Sequence, residues 1–296
     1  MPEQKRNNSE VQKAVKDLFM GVAPERQSEL TQLWEQYQIR FNILQNDSFV
    51  MEAGAYRDVN FNNRALRAFW VAAFAAWEGF CVSSRCMGDL ARFKILLECV
   101  DNIMSSNDPA EVLMPQGVPE PGIFVDTKDD AQARAAGEFA VFACGWALLH
   151  EVHHIQLQQQ GLSTQMEAPS TDKREQELKC DCFATEFILK DAAKYARNKE
   201  IDIQLLEQKR QVGVHFALFA LTIISRRSWI ESESHPTIQE RIDKAWSQMN
   251  IQGLNFMASL ISVGAFYSLS QCFDKAPGPP VLSISYKDGL YALQSQ

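Results

Sequence analysis

A mainly α-helical fold of the α+β type, packed helices with small β-hairpin elements, is what this sequence predicts. Three observations carry that expectation. Apolar stretches of helical character recur along the chain, among them Ala68 to Trp77, Phe139 to Leu149 and Val212 to Ile224. Four prolines between Pro109 and Pro121 interrupt them once. Only two short segments, Ser48 to Asn62 and Pro280 to Gln294, alternate apolar and polar residues as strands do.

Taken in order, Val11 to Phe41 reads as helix, broken at "GVAPER", where Pro24 and Glu25 suit the first turn of a new helix. Phe49, Met51, Tyr56, Val59 and Phe61, with Gly54 placed for a turn, predict a short hairpin. Asn63 to Ile103 reads as two packed helices, with Gly79 and Gly88 as weak points. After the proline connector, a long helix should run from about Asp130 to Gln160. Thr127 or an adjacent Asp would cap its start and Gly161 would end it.

Further helices are expected at about Lys173 to Asn198, Ile203 to Ile224, from near Pro236, and Leu254 to Phe273. A terminal hairpin should turn at Asp288 and Gly289. This divides the chain into a helical N-terminal region (1–121), a core carrying the candidate site (122–250), and a C-terminal helix and hairpin packed on it (251–296). No repeat or low-complexity tract stands out.

Composition narrows the function. With 46% apolar residues and 10% aromatics, 296 residues can bury a substantial core. The net charge of −8 is spread through mixed-sign segments, without a Lys/Arg block suited to nucleic acid or an anionic membrane, so neither is an expected partner. Seven cysteines lack the paired C-x-x-C spacing of a zinc ribbon and read as reduced thiols in the cytoplasm. The polar start "MPEQKRNNSEVQ" has no hydrophobic stretch of a secretory signal. Val212 to Ile224 comes closest to a membrane segment but contains His215, and reads as a buried helix.

The chemistry concentrates in "GWALLHEVHHIQL", Gly145 to Leu157. His150, Glu151 and His154 match H-E-x-x-H. On a helix, His150 and His154 lie about 40° apart and one turn along the axis, so both imidazoles reach one tetrahedral ion. His150 and His153 lie about 60° apart, so spacing alone leaves that pair open. Glu151 decides between them. It lies about 80° from the midline of the 150/154 pair but about 130° from that of the 150/153 pair, so only the first lets its carboxylate act as general base on an attacking water. His153 is then a bystander or supports a ligand from behind.

A catalytic Zn2+ site needs a third protein ligand. Glu177-x-x-x-Asp181 puts two carboxylates on one helical face. Glu177 can ligate while Asp181 accepts the N–H of a ligand histidine. Glu175 is the rival ligand. In "SHPTIQERI", Thr237 and Glu240 resemble a capping box, and His235, Arg241 or both can stabilise the oxyanion of peptide hydrolysis. His215 reads as a hydrogen-bonded core residue. Cys180 and Cys182, split onto different helical faces, are left outside the site.

Together these residues resemble the gluzincin arrangement, in which two His and one Glu bind zinc. The His-Pro…Arg element is similar to that of the prenyl-protein (CAAX) zinc peptidases, whose spanning helices are missing here. A chain of this length, with H-E-x-x-H near its middle and a helical N-terminal half, more closely resembles the Lit-type phage-exclusion peptidases. That resemblance implies a gluzincin-like metallopeptidase core and a cytoplasmic zinc endopeptidase. It would cleave elongation factor Tu when an activating phage capsid peptide is present, halting translation and phage growth. By motif position, His150, His154 and Glu177 would ligate zinc and Glu151 would be the base. Two rival readings remain: an ImmA/IrrE-like regulatory peptidase, and a non-catalytic interaction protein in which zinc only ties two helices together.

Overall fold

The computed structural model describes residues 8–45, 48–84, 89–165, 167–226, 229, 233–253, 255–279, 282–287 and 290–295. The chain opens with α1 (Asn8–Gly21) and α2 (Gln27–Gln36), joined by a 3-10 turn at Pro24–Arg26. Helix does not continue to Phe41 as the sequence predicts. Gln38 takes a left-handed φ of 49°, and Arg40–Ile43 becomes strand β1. Packing is the reason: Ile39 and Phe41 are buried while Arg40 is exposed, and the Phe41 ring meets Phe19, Trp34 and Phe61 edge-on.

Strands β2 (Met51–Ala53) and β3 (Asp58–Phe61) form the expected antiparallel hairpin. β1 pairs with β3 in parallel, giving the order β1-β3-β2 and leaving β2 at an edge. Helices α3 (Asn63–Ser84) and α4 (Ala91–Ser105) follow. α3 runs unbroken through Gly79, while Gly88 lies outside the described residues. α3 is also the one helix among the described residues long and apolar enough to cross a membrane, but most of it is buried in the core.

The proline connector carries no helix or strand, yet α3 holds it closely. Arg64 caps the carbonyls of Ile103, Met104 and Ser106 at the end of α4. Arg67 donates to the Pro109 and Val112 carbonyls, and Trp70 Nε1 donates to Pro119 O at 2.8 Å.

Helix α5 (Ala131–Gln159) matches the long helix expected from its caps. The Asp130 side chain accepts from Gln132 N and Ala133 N, and Gly161 follows the helix at φ 69°. α5 is apolar all round because it is central, packed by α1, α3, α6, α8 and β2. Against α8 (Ile203–Ile224) the approach is so close that a Cβ on Gly213 would collide with Phe142.

The single helix expected over Lys173 to Asn198 is two, α6 (Ser170–Leu189) and α7 (Ala192–Lys199). Lys190 is extended and Asp191 left-handed, φ 62°. Distant arginines make this break: Arg26 Nη1 donates to Phe187 O at 3.0 Å and Arg210 Nη1 to Ile188 O at 2.8 Å, satisfying carbonyls that a continuing helix would use. Helices α9 (Ile238–Gln252) and α10 (Phe256–Ser270) follow. β4 (Leu282–Lys287) and β5 (Leu290–Ser295) pair antiparallel as the terminal hairpin, whose expected turn at 288–289 lies outside the described residues. One hydrophobic cluster extends from Val15 to Leu269.

Candidate metal centre and active site

The site is built where α5 and α6 run antiparallel, joined by the loop at 160–169. Trp146, His150 and His154 recur every four residues on α5, and Glu177, Asp181 and Thr185 do so on α6. This spacing makes three rungs, one helical turn apart. Trp146 Nε1 donates to Thr185 Oγ1 at 3.0 Å, His150 Nδ1 lies 2.9 Å from Asp181 Oδ1, and His154 Nε2 lies 3.2 Å from Glu177 Oε1.

Two imidazole nitrogens and one carboxylate converge between the last two rungs. His150 Nε2 and His154 Nε2 are 3.1 Å apart, and Glu177 Oε2 lies 3.3 Å from His150 Nε2. The other carboxylate oxygen, Glu177 Oε1, lies 3.2 Å from His154 Nε2, so the two imidazoles and the one carboxylate make a triangle of groups. Ligand atoms bonded at about 2.0–2.1 Å to one tetrahedral zinc stand about 3.3 Å apart, so the donor set and its spacing fit that ion.

The charges fit as well. Burial opposes charge on His150, but the Asp181 and Glu177 carboxylates outweigh it and push its pKa up to about 10. Burial also opposes charge on Glu177 and Asp181, yet both are held below the usual carboxylate range, Glu177 by His150 and His154 and Asp181 by Arg241 and His150. The pocket is therefore organised around positive charge at its centre.

Glu151 flanks the triangle. Its Oε2 accepts from Ala53 N at 2.7 Å, and its Oε1 is 4.0 Å from His150 Nε2. Burial raises its pKa. Seven residues further along α5, Gln158 Oε1 accepts from Tyr56 N at 2.9 Å. Three strand residues and seven helix residues each span about 10 Å, so β2 and its turn lie alongside α5. A polar cleft of about 460 Å³ lined by Tyr37, Tyr56, Arg57 and Gln159 lies beyond, away from the histidines.

Glu175, the rival third ligand, is exposed and paired with Lys179 at 2.8 Å. His153 is turned away: its ring stacks on Phe183 at 4.3 Å and its Nδ1 lies 2.7 Å from Gln156 Oε1. His235 Nε2 stands 3.8 Å from Glu177 Oε2, on the more exposed side of the cluster. Arg241, considered above for the oxyanion, is buried and committed to Asp181, with Nε 2.7 Å from Oδ2 and Nη2 2.6 Å from Oδ1. Thr237 and Glu240 form the expected capping box that starts its helix. His215 is buried against Trp246, but neither ring nitrogen has a hydrogen-bond partner, contrary to the hydrogen-bonded residue expected. Burial pushes its pKa down to about 3.

Gln176 and the Ala53 N–H have no role in the sequence expectations, and Cys180 is left outside the site there. Cys180 shares a cluster with His150 and His154 in which the ligand atoms lie within 4.8 Å of one another. Its place three residues after Glu177 was the available signal. Glu177 makes the better third ligand, because its oxygens stand within 3.3 Å of both imidazoles and it is held ionised, whereas burial holds the Cys180 thiol protonated. Gln176, 3.1 Å from His154 Nδ1, is one residue before Glu177. The Ala53 N–H carries no sequence signal, since any residue but proline supplies it.

The family model described as peptidase U49 matches residues 59–261, about two thirds of the chain, from β3 into α10. No curated protein and no solved structure matches. The matched region holds the whole histidine and carboxylate cluster, together with His235 and Arg241. The chain belongs to the peptidase U49 family.

Proposed function

We propose that this peptidase is a zinc-dependent endopeptidase of the Lit type. It acts on a cytoplasmic protein, elongation factor Tu, in phage exclusion, in answer to an activating phage peptide. The metallopeptidase part is supported by one observation above others: His150 Nε2, His154 Nε2 and Glu177 meet within 3.3 Å, with Glu151 beside them. The substrate, the phage peptide and the cytoplasmic setting are supported by the resemblance of the H-E-x-x-H, Glu-x-x-x-Asp and His-Pro…Arg segments.

His150, His154 and Glu177 would hold the zinc, which when bound supplies a Lewis acid that polarises the scissile carbonyl and acidifies water. Glu151 takes a proton from the attacking water and delivers it to the leaving amine. The Ala53 N–H fixes one of its oxygens, and burial makes the carboxylate more basic. Ser234 Oγ lies 2.7 Å from His235 Nδ1, and a hydroxyl donating there leaves the imidazole N–H at Nε2, facing Glu177. His235 then donates to the oxyanion, and Arg241 acts indirectly by clamping Asp181 behind His150.

The test compares wild type with Glu151→Gln for bound zinc and for cleavage of elongation factor Tu, in cells with and without phage infection. Retained zinc with lost cleavage is expected. Unchanged cleavage by the variant refutes the mechanism, while loss of cleavage of a different protein would redirect the substrate alone. A second reading comes from Cys180: if its thiolate completes the coordination, the site is closed and structural. Under that reading Cys180→Ala loses zinc; under the catalytic one it keeps both zinc and cleavage.

A further inference from the structure

Gln176 has no part in the chemistry above, yet it touches His154. Its side-chain nitrogen lies 3.1 Å from His154 Nδ1, and its Oε1 accepts from the Thr164 backbone N–H at 2.5 Å and the Thr164 hydroxyl at 2.7 Å. The two ends of this amide are not interchangeable. A backbone N–H only donates, so the atom facing Thr164 N is oxygen and the atom facing His154 is the NH2 group.

An NH2 group only donates as well. His154 Nδ1 must therefore accept, which places the ring proton on Nε2. Nε2 faces Glu177 Oε1 at 3.2 Å, where that proton is well placed to be donated. Nε2 is also the nitrogen of the converging triangle, and a ligating nitrogen needs its lone pair. With zinc on Nε2, the proton of neutral His154 sits on Nδ1 and requires an acceptor there. In its present orientation Gln176 offers none. His150 meets no such conflict, because Asp181 accepts from its Nδ1–H in either condition.

Resting on the zinc reading above, we propose that Gln176 is a metal-coupled amide switch. When zinc binds, the carboxamide turns over, Oε1 accepts from His154 Nδ1–H, and the Thr164 backbone N–H is released. The turned NH2 group can still donate to the Thr164 hydroxyl, but the Thr164 N–H then faces another donor. Next to it, the Leu162 and Ser163 N–H groups both bond Leu157 O, so Thr164 is the point at which the loop between α5 and α6 responds to the metal. A glutamate at 176 would accept from both sides at once and abolish the switch.

Imidazole ¹⁵N spectra of the full chain, zinc-free and zinc-loaded, test this directly. The His154 proton should move from Nε2 to Nδ1 on loading, with a shifted Thr164 amide signal and faster exchange of its hydrogen. Zinc bound at His150 and His154 with the His154 proton on Nδ1 in both conditions overturns the switch and leaves the metal site standing. Absence of zinc binding at those histidines overturns both. In chelator competition, Gln176→Glu should bind zinc about tenfold more tightly than wild type, with Thr164 protected in both conditions. Unchanged or weaker binding also overturns the proposal.

Discussion

Replacing Arg241 by Met separates the two roles open to this side chain. In the structure its guanidinium makes two hydrogen bonds to Asp181, which is itself buried. Methionine fills much of the same space and leaves the carboxylate with His150 alone. Stranding one member of a buried ion pair costs about 3–5 kcal/mol, and two charge-assisted bonds at about 1.5–3 kcal/mol each agree with that range. At about 2.1 cal/mol/K per residue, a chain of this size has an unfolding entropy near 0.6 kcal/mol/K, so about 4 kcal/mol lowers Tm by about 6 °C. Asp181 also orients His150, and losing such support weakens metal binding by about 10–100-fold. Calorimetry and chelator competition on purified Arg241→Met should show both losses, and saturating zinc should restore much of the cleavage rate. A variant with wild-type Tm and zinc affinity but a reduced kcat would refute the clamp and return Arg241 to the oxyanion.

Three further outcomes are expected. His215, with its folded pKa pushed down to about 3 against about 6.5 unfolded, makes the unfolded chain bind the extra proton. Its contribution therefore falls as pH drops from about 6.5 toward 3, by about 2 kcal/mol between pH 7 and pH 5. Urea titrations should show His215→Phe losing about that much less than wild type over the interval; equal losses would contradict the buried neutral imidazole. His153→Ala should leave zinc content unchanged, since its ring faces Phe183, and a zinc-free variant would overturn the choice of His150 and His154. Gly213→Ala should cost about 1–3 kcal/mol by pushing α8 off Phe142, and a neutral denaturation midpoint would show that the two helices can part without strain.

The legible parts of the chain were those governed by nearby residues. Asp130 and Gly161 bound α5, Ile203–Ile224 matched its helix to the residue, and the i, i+4 carboxylates of Glu177 and Asp181 fell on the stripe facing the histidines. Long-range partners governed the rest. Arg26 and Arg210 end α6 from 161 and 22 residues away, and β3 recruits β1 from a stretch that reads locally as helix. The site shows the same division: H-E-x-x-H placed His150, Glu151 and His154 on one short stretch of helix, while Arg241 takes its orientation from a partner 60 residues distant.

The buried Glu25 and Arg210 pair, with Arg210 Nη2 2.8 Å from Glu25 Oε2, bears on the order of synthesis. Glu25 emerges early, but its counter-charge is made 185 residues later. An ionised carboxylate leaves water only when its partner arrives, so Glu25 stays hydrated while the first helices wait. Arg26 has the same dependence on the Phe187 carbonyl. The nascent N-terminus can form helices and the three-stranded sheet but cannot seal its contacts with the end of α6 and with α8 until Phe187 and Arg210 have been made. Closure of the N-terminal elements onto the end of the helix pair that bears the histidines is in this way timed to a late stretch of chain.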